Sequence, residues 1–155
     1  MLNLRVADEV WIATALLHRQ YPDRADFSVR EIVRRAETAR ATGAEPLRPG
    51  VQAHAYGHCV ANRPPGPGRY RMLVETATGR RRLYRPGDPC HPLRARGRHL
   101  PDPARVPPAW RGLIAWYRAE FAGPGGGVDD PVLALAGIGG AAADGWLAAW
   151  RGGRR

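Results

Sequence analysis

The chain predicts an α+β fold in which three helices precede a β-hairpin, and three observations carry that reading. Apolar residues recur at helical spacing on both sides of Pro22 and again after Gly50. Residues 69–85 switch to the two-residue alternation of strands, interrupted at Gly79. Proline and glycine separate these segments at Pro22, at Pro46 to Gly50 and at Pro64-Pro65-Gly66-Pro67-Gly68.

Val6, Val10, Ala13 and Leu17 share one helical stripe, widened by Trp11, Ile12 and Leu16, which predicts a well-buried first helix over 6–21. Pro22 ends it. Phe27-Ser28-Val29-Arg30-Glu31-Ile32 reads as a helix start: Ser28 can cap the Glu31 amide, Glu31 can cap back, and Phe27 can staple onto Ile32. The second helix continues through Ile32, Val33, Ala36 and Ala39 and breaks near Gly43. A third is expected from Val51 to Asn62, unusually polar for a buried helix because it carries Gln52, His54, Tyr56, His58 and Asn62. From Arg69 to Thr76, Tyr70, Met72 and Val74 then alternate with Arg71, Leu73 and Glu75. Gly79 supplies the positive φ of a short turn, and Arg80 to Arg85 returns as the partner strand.

Capped helix, connection, second helix and arginine-laden hairpin come in the order that a winged helix-turn-helix requires. Such a domain places a helix in the major groove of double-stranded DNA and a β-ribbon against its backbone. On the third helix Gln52, Tyr56, His58, Asn62 and Arg63 are the candidates for base edges or phosphates, since Asn and Gln suit adenine and Arg suits guanine. Val51, Ala55, His58, Cys59 and Asn62 lie near one side of the helical wheel, so His58 and Asn62 can equally face the core. On the hairpin Arg69, Arg71, Arg80, Arg81 and Arg82 are candidates for phosphate, the bland alternative being a solvated basic face. Residues 63–98 hold ten arginines against Glu75 and Asp88 alone. If about five arginines bind phosphate, log K should fall with log salt at a slope of roughly −4 to −5. RNA stays open as the polyanion.

The formal charge of +10 and pI of about 11.1 point to a polyanionic partner. All 24 basic residues are arginine. With abundant Ala, Gly and Pro, this matches the codon bias of a GC-rich bacterial genome, and it removes the Walker, Schiff-base and nuclease lysines. No paired-carboxylate, triad or P-loop signature is present, so an enzyme is not expected, and neither is a cofactor. Cys59 and Cys90 imply no disulfide framework and fit a cytoplasmic protein. No apolar run approaches the ~20 residues of a membrane span. His54 and His58 stand at i, i+4, and with Cys59, Cys90 and His91 could hold zinc; without CxxC or HExxH context, hydrogen-bonded histidines are the preferred reading.

Residues 86–107 read as an irregular Pro/Arg-rich strap. Pro107-Pro108 opens a fourth helix whose Trp110, Leu113, Ile114, Tyr117 and Phe121 form an apolar stripe, closing the core or, alternatively, making a homodimer seam. The expected organisation is a winged-helix domain with its C-terminal helix over 1–122 and a tail over 123–155, beginning with the flexible linker Gly123-Pro124-Gly125-Gly126-Gly127. Val132, Leu133, Leu135, Trp146 and Trp150 in that tail are candidates to dock a protein partner. That role makes a second hypothesis, in which the winged helix is scaffold and the tail carries the function.

From Val6 to Phe121 the chain resembles an uncharacterised bacterial winged helix-turn-helix domain family, over about three quarters of its length. The stretches that carry the likeness are Phe27-Ser28-Val29-Arg30-Glu31-Ile32-Val33, His58-Cys59-Val60-Ala61-Asn62-Arg63-Pro64-Pro65 and Arg82-Leu83-Tyr84-Arg85-Pro86-Gly87-Asp88-Pro89. The resemblance implies the fold and brings no activity with it. Asp129 to Gly139 looks like a short C-terminal segment of small bacterial DNA-binding, antitoxin-like proteins. The chain departs from that pattern at Gly140-Ala141-Ala142-Ala143, which stand where polar, charged residues belong.

Overall fold

The computed structural model describes residues 4–39, 50–66 and 68–123. Helix α1, Val6–Gln20, is the spine: Ala7 to Ala15 are buried without interruption, including Asp8, Glu9 and Thr14. A helix covered on every side lies inside its domain, and the elements that follow wrap it. Strand β1 is only Phe27–Ser28 and leads directly into α2, Val29–Ala39. The join is a reciprocal cap. The Glu31 amide donates to Ser28 Oγ at 3.1 Å, and the Ser28 amide donates to Glu31 Oε2 at 2.7 Å. Phe27 and Ile32 are both fully buried in the same core.

Helix α3 is shorter than its polar, helix-compatible sequence suggests. It covers Gly50–Ala53 and widens into a π-helical turn over His54–His58. Its expected continuation to Asn62 is replaced by pairing. Val60 bridges Leu73 in parallel fashion, the Ala61 amide donates to the Leu73 carbonyl, and the amides of Met72 and Leu73 both donate to the Cys59 carbonyl. Residues 59–61 thereby lie along the next strand instead of coiling.

Strands β2, Leu73–Ala77, and β3, Arg80–Leu83, form the hairpin, with Gly79 at φ 73° in its turn. The sheet is three-stranded and antiparallel in the order β1-β3-β2, with Phe27 opposite Arg81 and Leu73 opposite Leu83. The alternation does not leave one face of the stretch entering β2 in solvent: Arg71, Met72, Leu73 and Val74 are all buried. One side meets α1, and the other is covered by residues 86–107, which run as an irregular strap with 3₁₀ turns at Pro92–Arg94 and Pro103–Arg105. A third 3₁₀ turn at Pro108–Trp110 leads into α4, Gly112–Trp116, and a closing π-helical turn at Tyr117–Phe121. Leu113, Ile114 and Tyr117 enter the main core, and Tyr117 meets Trp11 edge-on at 5.8 Å between ring centroids. The apolar stripe of this segment thus closes the core. The fold is α+β. No helix among the described residues is long and apolar enough to cross a membrane.

Candidate nucleic-acid interface

Helix α3 turns Val51 and Ala55 inward, each fully buried, and leaves Gln52 and Tyr56 exposed. The Tyr56 ring is braced on one face by the Arg63 guanidinium, 4.7 Å from its centroid. His54 Nδ1 lies 2.9 Å from the Gly50 carbonyl, and the His54 and His58 rings meet edge-on at 5.0 Å. Among the described residues, no group of three His, Cys, Asp or Glu side chains could hold a metal ion. Cys59 and Cys90 sit in separate apolar clusters, and burial pushes both thiols up, that of Cys90 to about 11.

Asn62 corrects the sequence reading most sharply. It is buried, and its carboxamide acts as an extra peptide at the edge of β2: Nδ2 donates to the Glu75 carbonyl at 2.9 Å, and the Glu75 amide donates to Oδ1 at 2.8 Å. Both ends of its hydrogen-bonding capacity are spent inside the fold, so it cannot read a base. His58 is half-buried beside His54, and Arg63 is half-buried and paired with Glu75 at 2.8 Å.

The hairpin arginines are likewise corrected, because each of the three at β3 is paired with a carboxylate inside the fold, Glu75 being shared between Arg81 and Arg63. Arg80 forks onto Asp26, with Nε at 2.9 Å and Nη2 at 2.7 Å from Oδ1. Asp26 also accepts from the Thr76 hydroxyl at 2.6 Å, and these bonds hold its carboxyl below the usual range. Arg81 is fully buried; it lies 2.9 Å from Glu75 Oε2 and donates to the carbonyls of Ala55, Tyr56 and Arg80. Arg82 forks onto Asp88 with both nitrogens at 2.7 Å. Arg71 is buried and donates its Nε–H to the Gly97 carbonyl at 2.6 Å. Of the five hairpin candidates only Arg69 is exposed. Counting charge along a window missed this because Asp26 lies more than fifty residues from Arg80 in sequence.

Sequence reasoning also missed Arg94, a fully buried guanidinium that lies among five backbone carbonyls: those of Gly57, His58, Arg63, Pro64 and Tyr70. These lie at the end of α3 and on either side of the Pro/Gly segment as well as within it, so one side chain of the strap pins both. The signal was slight: His91-Pro92 can cap a turn, and the His91 ring does accept from the Leu93 amide at 3.1 Å. The exposed arginines not tied into the sheet include Arg30 and Arg34, one turn apart on α2. Val132, Leu133, Leu135, Trp146 and Trp150 lie outside the described residues.

Comparison with protein-family models, with curated proteins and with solved structures gave no match for this chain.

Proposed function

We propose that this chain is a cytoplasmic, non-enzymatic DNA-binding protein with a winged helix-turn-helix domain, acting by occupancy of duplex DNA. The observation that carries the reading is the order α1-β1-α2-α3-β2-β3 with strands arranged β1-β3-β2, together with an α3 whose Gln52 and Tyr56 point to solvent. A net charge of +10 adds a general attraction for polyanions. Base edges fall to Gln52 and Tyr56. Phosphate contact falls to Arg30, Arg34 and Arg69, which are exposed, and not to the β3 arginines, whose charges are matched by Asp26, Glu75 and Asp88.

The experiment is binding of purified protein to random-sequence duplex DNA over a salt series. An Arg30→Ala/Arg34→Ala/Arg69→Ala variant should flatten the log–log slope by about three, one for each phosphate that is no longer neutralised. An Arg80→Ala/Arg82→Ala variant should lower stability and leave the slope nearly unchanged. No measurable duplex binding by the wild type at low salt, or a slope set by the β3 pair, overturns this assignment.

A further inference from the structure

Successive residues of β3 point to opposite faces of the sheet. Arg81 reaches the carbonyls of α3, and Arg82, turned the other way, lines a groove about 600 Å³ in volume between the end of α1 and the C-terminal helical segment. That volume is in the range of small-molecule sites, roughly 300–1,000 Å³.

The groove combines aromatic surface with positive charge. Its wall is a run of rings: Trp116 lies 5.6 Å from Phe121, and Phe121 lies 4.5 Å from His18. Four arginines line it, and two of them, Arg24 and Arg82, are forked onto Glu31 and Asp88. Arg85 differs from these. Its Nε–H donates to the Phe121 carbonyl at 2.8 Å, and its guanidinium lies 4.0 Å from the centroid of the Phe121 ring, so neither partner carries a charge. Arg19 stands exposed on the last turn of α1. His18, buried at the floor, accepts the Leu83 amide through Nε2 and is held at about 4, by burial first and then by Arg85 and Arg82.

We propose that this groove binds a small aromatic anion, its carboxylate or phosphate held by Arg85 and Arg19 and its ring laid against Trp116. A nucleic-acid backbone fits it poorly, because Asp23 and Glu120 also line the groove and would repel a continuous run of phosphates. A single compact anion can sit between the arginines and avoid both. The inference does not depend on the DNA-binding reading, since no residue of α3 lines the groove.

The test is calorimetric titration of the full chain at fixed ionic strength with five probes: adenosine monophosphate, uridine monophosphate, benzoate, adenosine and inorganic phosphate. At least one aromatic anion should bind about tenfold or more tighter than both adenosine and phosphate, the difference expected when a charge-assisted hydrogen bond or a ring stack is withdrawn. Preference for the monophosphates names a nucleotide, and preference for benzoate names an aryl carboxylate; either supports the proposal. Arg19→Glu, on an exposed residue, should weaken the preferred probe by about tenfold while thermal unfolding stays unchanged. Binding should also raise the His18 titration seen by NMR. No aromatic anion binding more tightly than adenosine and phosphate, no heat with any probe, or an Arg19→Glu variant that binds the preferred probe normally would overturn the proposal.

Discussion

Arg81 and Glu75 face each other across the hairpin, guanidinium to carboxylate at 2.9 Å, with Arg81 fully buried and the Glu75 side chain 5% exposed. Glu75 serves a second cation as well, Arg63 at 2.8 Å. A pair at this depth gives little net stability over a well-packed apolar pair, since desolvating both charges costs about what their attraction returns. Breaking it is another matter, because one charge is then left buried without its partner.

Glu75→Ala should therefore destabilise the fold by about 3 to 5 kcal/mol. The double variant Glu75→Leu/Arg81→Met should recover only part of that loss, because the Ala55, Tyr56 and Arg80 carbonyls lose the Arg81 donors and Arg63 loses its carboxylate. Urea unfolding of the wild type and both variants measures the two differences. A Glu75→Ala cost below about 1 kcal/mol would place the pair among solvent-screened ion pairs.

Arg94 presents the same physics without a carboxylate. Its charge is solvated by five backbone carbonyls. Arg94→Lys keeps the charge but has one point of donation in place of a planar fork, leaving several buried acceptors unmet. A loss of about 3 kcal/mol or more is expected, with amide exchange accelerated first at residues 57–64. Uniform protection across that segment in the variant would show that the Pro/Gly segment holds itself.

What the sequence disclosed follows the range of the interactions involved. The caps at Ser28 and Glu31, the end of α1 at Pro22 and the turn at Gly79 depend on neighbours, and each was legible. The length of α3 was not, because residues 59–61 pair with β2 and tertiary hydrogen bonds override a helical pattern. Charge was misread for the same reason. Arg80, Arg81 and Arg82 look like a free cluster until folding brings Asp26, Glu75 and Asp88 to them. In the groove, His18, Arg85 and Trp116 come from three separate segments, and no spacing rule joins them.

Two glycines separate close approach from simple tolerance. A Cβ on Gly97 would stand 1.7 Å from the Arg69 carbonyl oxygen, where the strap crosses the entry to β2. A Cβ on Gly57 would meet nothing within 4 Å. Gly97→Ala should force the strap outward, breaking the Arg71–Gly97 hydrogen bond and costing about 2 to 4 kcal/mol. Gly57→Ala should be neutral or stabilising by about 0.5 kcal/mol, since it restricts the unfolded chain. Thermal unfolding of the two variants side by side tests the contrast, and equal effects would contradict it.

Stability should fall with acid in two steps with different owners. His18 titrates near its ordinary 6.5 when unfolded and at about 4 when folded, so between those values the unfolded chain binds the extra proton. Stability must then rise with pH across that window and level off above it, and a shift of this size is worth about 3 kcal/mol at a buried site. The physical event is loss of the Nε2 acceptor: a protonated ring cannot receive the Leu83 amide, and it gains a charge beside Arg85 and Arg82. Glu31 acts lower, because the Arg24 fork and the Ser28 amide hold its carboxyl at about 2, so its contribution fades as pH falls from 4.5 toward that value. Asp8, whose carboxyl burial pushes up, works in the opposite sense. His18→Gln offers an amide oxygen to Leu83 and cannot titrate, so it should flatten the upper step and leave the lower one, while Glu31→Gln should do the reverse. Chemical unfolding of the three proteins from pH 7 to 2 reads both steps. An upper step that survives His18→Gln would assign the acid sensitivity to a different group.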